Sequence, residues 1–139
     1  MGDKVGILFP MVGLATLTFA VLLLIPVRRF RAGRAGQVAY DDFRYGESPR
    51  VPPEVALPNR NMMNLLELPV LFYVACLVIY VADRVDTTLL ALAWTYVGLR
   101  LVHSAIHLTY NRVRHRLIAF GASNIVLVTL WTNLLRALT

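Results

Sequence analysis

The amino-acid sequence predicts an all-α integral membrane protein, a bundle of four transmembrane helices in a single domain, and three observations carry that prediction. The 139 residues are 58% hydrophobic, with a mean hydropathy of +0.61, above the apolar share of about 45–50% in soluble domains. No charged residue stands between Lys4 and Arg28, or from Leu117 to Leu135, and each run reaches the roughly 20 residues a helix needs to cross hydrocarbon. A soluble helical bundle would carry a polar stripe along every helix. Neither of these two segments has one.

The first helix is expected over about residues 5–28. A cleavable signal peptide is the rival reading, but the apolar stretch exceeds an h-region of roughly 7–15 residues, and its basic cluster follows rather than precedes it. Residues 29–60 form a long connection in which Pro49, Pro52, Pro53 and Pro58 argue against a continuous helix through the second half. This connection reads as a lid or surface strap, with Tyr40, Phe43 and Tyr45 among Asp41, Asp42 and Arg44 suited to a headgroup interface. A second helix over 61–82 contains Glu67, a short turn spans Asp83 to Asp86, and a third helix over 87–111 contains Arg100. The fourth covers 117–136. Cys76, alone in the chain, falls mid-span among apolar neighbours, which excludes a disulfide or a cysteine metal site within one chain.

Arginine placement sets the expected orientation. Arg28, Arg29, Arg31, Arg34, Arg44, Arg50 and Arg60 lie in the first connection, and Arg112, Arg114 and Arg116 lie in the next one on that side. The opposite side has Lys4, Arg84 and Arg136. By the positive-inside rule the arginine-rich connections are cytoplasmic, so both termini lie outside the cytoplasm. The formal charge of +6 and pI of about 10.1 then reflect loop arginines facing anionic headgroups, which argues against a nucleic-acid partner and for membrane lipids.

Two polar stripes interrupt the apolar spans. Arg60, Asn64 and Glu67 recur at i, i+4 and i+7, and Arg100, His103, His107, Asn111 and Arg114 at i, i+3, i+7, i+11 and i+14, so each set shares one helix face. A charge near the bilayer centre costs at least about 2.5–3.5 kcal/mol, which points both faces inward, toward the bundle or a wet cavity. Antiparallel packing would set Asn64 near Asn111 and Glu67 near His107, forming a polar cavity open at the arginine-rich end. Its rival is a structural network in which Glu67 neutralises Arg100 or a protonated histidine.

The Arg60, Asn64, Glu67 pattern, R-x-x-x-N-x-x-E on a second helix, resembles that of the membrane-associated proteins in eicosanoid and glutathione metabolism, the MAPEG family. The four-helix layout, the basic first connection and the polar third helix running on to Arg114 are similar too, so the resemblance spans nearly the whole chain, with a bacterial-type member in a bacterial inner membrane as the expectation. It implies a homotrimer that binds glutathione as co-substrate between protomers. Arg60, Asn64 and Glu67 would hold the tripeptide's charged and polar ends, with Arg100, His103 and His107 completing the site. Arg114 would face the thiol as the catalytic residue, and Arg28 or Arg29 would match basic residues closing the first helix. Two departures stand out. Pro69 follows Glu67 by two residues where well-known members have three, and His103 and His107 occupy positions where glutathione-binding relatives often place tyrosines.

His103 and His107 at i and i+4 also have the spacing of two metal ligands, with Glu67 as a conceivable third, but no H-E-x-x-H accompanies them and no metal is expected. The resulting expectation is a glutathione-dependent membrane transferase or peroxidase acting on a lipophilic small molecule. The alternative is a non-catalytic protein of the same fold that binds a lipid or a partner protein.

Overall fold

The computed structural model describes residues 4–139. Four helical segments long and apolar enough to cross a membrane run up and down through it, Lys4–Arg34, Pro53–Val81, Thr87–Leu108 and Val113–Leu138. The first is a 3₁₀ turn, Lys4–Ile7, leading into α1 (Leu8–Arg34); the second is two helices, α2 (Pro53–Leu66) and α3 (Pro69–Val81). The last two are α4 (Thr87–Leu108) and α5 (Val113–Leu138). No strand occurs among the described residues. The chain is an integral membrane four-helix bundle.

Helix ends follow local chemistry. α1 continues past the expected limit of residue 28 to Arg34, where Gly36, at φ 68°, lets the Gly36 and Gln37 amides donate back to the Gly33 and Ala32 carbonyls. α3 closes the same way through Asp83 at φ 57°, and α4 opens on Asp86, whose carboxylate accepts from the Leu89 amide at 2.7 Å. At its far end α4 turns through Asn111 at φ 47°, whose amide donates to the Ile106 carbonyl.

The prolines behave differently from the sequence expectation. α2 begins at Pro53 and contains Pro58, although the proline content of this stretch argued for irregular chain. Pro53 occupies the first helical position, where an amide hydrogen has no partner in any case. Pro58 leaves the Glu54 carbonyl without its helical donor. Arg28 of α1 fills that vacancy, its Nη1 donating to the Glu54 carbonyl at 2.6 Å. Its Nη2 donates to the Leu108 carbonyl at the end of α4 at 3.1 Å, so one guanidinium joins three helices.

Pro69 ends α2 rather than bending it. The backbone breaks at Glu67, φ −84° and ψ −101°, and α3 restarts with Pro69 at its first position. The early start of α2 also shifts the register against α4. Asn64 meets Arg100 and Asn61 meets Ser104, instead of Asn64 lying level with Asn111 and Glu67 with His107.

The apolar core gathers at the end away from the arginines, where Ile7, Leu14, Phe72, Ile79, Leu89, Tyr96, Leu130 and Leu134 are fully buried. Phe72 stacks on Tyr96 with ring centroids 4.7 Å apart. Val5, Phe9, Val12, Phe19, Leu23, Ile118, Ile125 and Val128 remain exposed, as lipid-facing side chains should. Residues 35–52 fold back against the arginine-rich end, where Val38 and Phe43 pack on Ala32, Val51, Val55 and Ala56.

Candidate functional site

α4 carries the site. Along one face Leu89, Ala93 and Tyr96 give way to Arg100, His103 and His107, all buried, so the core-facing stripe turns polar half-way down the helix. Arg100 is wholly inaccessible, and no carboxylate pairs with it among the described residues. Its Nη2 instead donates to the Asn64 carbonyl. That carbonyl is free because α2 stops at Leu66, two residues before the amide that would have bonded it. The break set by Pro69 therefore supplies the acceptor for Arg100, at a helix C-terminus where a cation is favoured. On its other side Arg100 lies 5.6 Å from the centre of the Phe120 ring. Its Nε and Nη1 have no hydrogen-bond partner.

Beside this cap is a cavity of about 370 Å³ lined by Arg60, Asn64, His103, His107, Val113, Arg116, Leu117 and Phe120. α2 supplies Arg60 and Asn64, one turn apart, and the Asn64 side chain donates through Nδ2 to the Arg60 carbonyl at 3.0 Å. His103 and His107 project from α4 with ring centroids 5.7 Å apart, and the buried Nδ1 atom of each lacks a partner. α5 completes the wall, with Arg116 held by the Asn111 side chain at 2.9 Å and Val113, Leu117 and Phe120 forming an apolar side. Among the described residues no carboxylate lines the cavity. Two guanidiniums and a third just behind them give it a positive field in surroundings of low dielectric.

Four of the residues expected at a site thus meet around one cavity: Arg60, Asn64, His103 and His107. Arg100 lies behind the wall as a helix cap. Glu67 does not reach the cavity; it is exposed at the break between α2 and α3. Arg114 is exposed and outside the lining, whereas Arg116, not singled out from the sequence, is inside. Successive residues step about 100° around a helix, so positions 114 and 116 point in widely different directions. Arg116 and Phe120, one turn apart on α5, carried a readable signal in their i, i+4 spacing. Asn61 was missed as well: it is fully buried and accepts from the Ser104 hydroxyl at 3.3 Å. Among the described residues no three His, Cys, Asp or Glu side chains come together as a metal site would require.

The fold and site together define a class: a four-helix membrane bundle with a half-open, arginine-lined cavity at one end. The comparison with protein families makes the assignment: the MAPEG family model matches residues 7–136, and the chain belongs to that family. It is a membrane protein of the family associated with glutathione and eicosanoid metabolism. Neither the curated proteins nor the solved structures gave a match.

Proposed function

We propose that this protein is a glutathione-dependent transferase or peroxidase for lipophilic electrophiles. It works as a homotrimer in a bacterial inner membrane, with the arginine-rich end in the cytoplasm and both termini outside. The observation that carries the reading is the cavity itself, in which Arg60 and Asn64 of α2 and the histidines of α4 meet one face of α5 that carries both Arg116 and the apolar Val113, Leu117 and Phe120. Glutathione brings carboxylates and a thiol from the cytoplasm, and the electrophile arrives through lipid.

In this reading Arg60 pairs with a carboxylate of the tripeptide, and the Asn64 amide bonds its backbone. Glu67 supports the trimer by its position. An exposed carboxylate within a span would face lipid in an isolated chain, at a cost of several kcal/mol, whereas a neighbouring protomer covers it and brings it to the ammonium of a bound glutathione. Arg100, His103 and His107 hold the back of the site.

The thiol needs activation. With a pKa near 8.5 it is only a few per cent thiolate at pH 7, and a two-unit drop requires about 2.7 kcal/mol of preferential stabilisation. A guanidinium in a partly desolvated site supplies that. Arg116 is the cation placed to do so from within the chain, while Arg114, the family-based candidate, points outward toward a neighbouring protomer. The thiolate sulfur then displaces the leaving group from an electrophilic carbon to form a thioether, or takes the terminal oxygen of a hydroperoxide as the O–O bond breaks; the alkoxide takes a proton from solvent, and a second glutathione converts the resulting sulfenic acid to the disulfide and water.

Glutathione titration followed by calorimetry and by thiolate absorbance in the ultraviolet tests both parts. Wild type binds at millimolar glutathione or below and shows the thiolate at pH 7. Arg116→Ala keeps most of the affinity but drops the thiolate fraction from most of the bound thiol to a few per cent, and Arg114→Ala does so only if a neighbour's arginine closes the site. No binding to the wild-type protein would overturn the enzyme reading and leave the polar cluster as a structural network.

A further inference from the structure

The connection that returns from α1 to α2 builds a second concavity, a groove of about 720 Å³ against the last turns of α1. Arg29, Phe30, Gly33 and Arg34 form one wall, and Val38 and Phe43 of the connection form the other. Its two arginines are in different states. Arg29 is already engaged, with Nη2 3.2 Å from a Glu47 carboxylate oxygen and its guanidinium 4.4 Å from the centre of the Phe43 ring. Among the described residues Arg34 has no ion pair, and no carboxylate lines the groove.

We propose that this groove is a binding site for one anionic phospholipid, with the phosphodiester on Arg34 and the upper part of an acyl chain along Phe30, Val38 and Phe43. The charge complementarity is direct: an arginine without an ion pair among the described residues at the rim, apolar rings and aliphatic groups as the floor, and the nearby Glu47 carboxylate already paired with Arg29. Depth agrees with it. The groove sits where α1 passes from its uncharged run into the arginine cluster, the level of the phosphate layer. Phe30 is 63% exposed, so the floor opens sideways into lipid. A water-soluble anion would leave that floor unfilled. The site stands apart from the glutathione cavity, and the inference does not rest on glutathione binding.

Gly33 makes the test clean. A Cβ at this position meets nothing within 4 Å, and replacing glycine inside a helix favours the helix. Gly33→Leu therefore fills groove space without removing charge or endangering the fold. The full-length protein is reconstituted into nanodiscs of nine parts phosphatidylcholine to one part phosphatidylglycerol, and the lipids retained after release into the gas phase are counted by native mass spectrometry.

Wild type should retain phosphatidylglycerol in preference to phosphatidylcholine. Arg34→Ala should cut that preference about five-fold, the worth of one arginine at an anionic surface, and Gly33→Leu should cut it comparably with every charge intact. Arg112→Ala removes an exposed arginine at the same end of the bundle and should leave it unchanged. Equal retention of the two lipids by wild type overturns the proposal, as does an Arg112→Ala loss matching that of Arg34→Ala, which would mean diffuse attraction. A change of oligomer mass in Gly33→Leu with phosphatidylglycerol retention intact also overturns it, since the groove would then seat a second copy of the chain.

Discussion

The two halves of α4 present the same face at the same depth of burial and do opposite work. Leu89, Ala93 and Tyr96 meet partners that fill the space around them, as in the stack of Tyr96 on Phe72 at 4.7 Å. Arg100, His103 and His107, on the continuation of that face, meet a broken helix and a cavity. The difference lies mostly in the facing element. Opposite the upper half α3 is unbroken and apolar, whereas opposite the lower half Pro69 has stopped α2 at Leu66 and left a carbonyl for Arg100. Burial alone does not separate structure from site; what each guanidinium faces does. Arg28 and Arg100 serve orphaned carbonyls and hold helices together, while Arg60 and Arg116 line open space.

This contrast predicts a double dissociation, and its largest effect belongs to the packed half. In a membrane the interior gains little over lipid from hydrophobic transfer, so the cost of Phe72→Ala is the cavity it opens. A void of roughly 100 Å³ at about 24 cal/mol per Å³ gives about 2–3 kcal/mol. Denaturant titration in mixed micelles should register a loss of that order, with glutathione affinity unchanged for the protein that remains folded. A Phe72→Ala protein that keeps its stability but loses ligand would erase the division between the halves.

The converse variant lies in the polar half. Arg60 is exposed and makes no ion pair among the described residues, so Arg60→Ala removes no packing and should unfold at the wild-type denaturant concentration. Its proposed partner is a ligand carboxylate, and a charge-assisted hydrogen bond lost there weakens glutathione binding roughly 10-fold, about 1.4 kcal/mol. Calorimetry and unfolding on the same preparation decide it. A stability loss equal to that of Phe72→Ala would make Arg60 part of the scaffold.

The spans were legible because hydrocarbon imposes a length and forbids charge, and the uncharged runs 5–27 in the first span and 117–135 in α5 satisfy both demands. The polar faces were legible for the same reason: Arg60, Asn64, His103 and His107 are too costly to point at lipid. Less could be read where one element's backbone decides what another's side chain meets. Pro58 looked like a helix breaker, and it is the Arg28 guanidinium, 26 residues before the Glu54 carbonyl it serves, that makes it tolerable. Pro69 was visible, but not that it would set Glu67 outside the cavity and hand Arg100 a carbonyl. Arg114 and Arg116 differ by two residues and no property of composition, so their facing depends on where α5 begins, at Val113.

The smallest effect should appear in the connection between α1 and α2, whose shape depends on one carboxylate. Asp42 is buried in the loop and accepts from the Ala39 amide at 2.9 Å and the Ser48 hydroxyl at 2.7 Å, with Arg50 2.8 Å away. The Ala39 amide first, then the Ser48 hydroxyl and the Arg50 charge, hold its carboxyl below the usual carboxylate range. A carboxylate so depressed stabilises the loop fully above its unfolded pKa, near 3.9, and loses that contribution as pH falls through the folded value. Hydrogen exchange at residues 39–48 should therefore stay slow, relative to intrinsic rates, from pH 7 down to about 4 and quicken below it, with the helices unaffected. Asp42→Asn keeps an acceptor for Ala39 but gives up the charge facing Arg50, so its loop should exchange faster at pH 7 and respond little to acid. Because Val38 and Phe43 reach the lipid-facing groove from this same loop, its opening should also lower phosphatidylglycerol retention in acid. An acid response confined to the helices, with residues 39–48 unchanged, would remove Asp42 from this role.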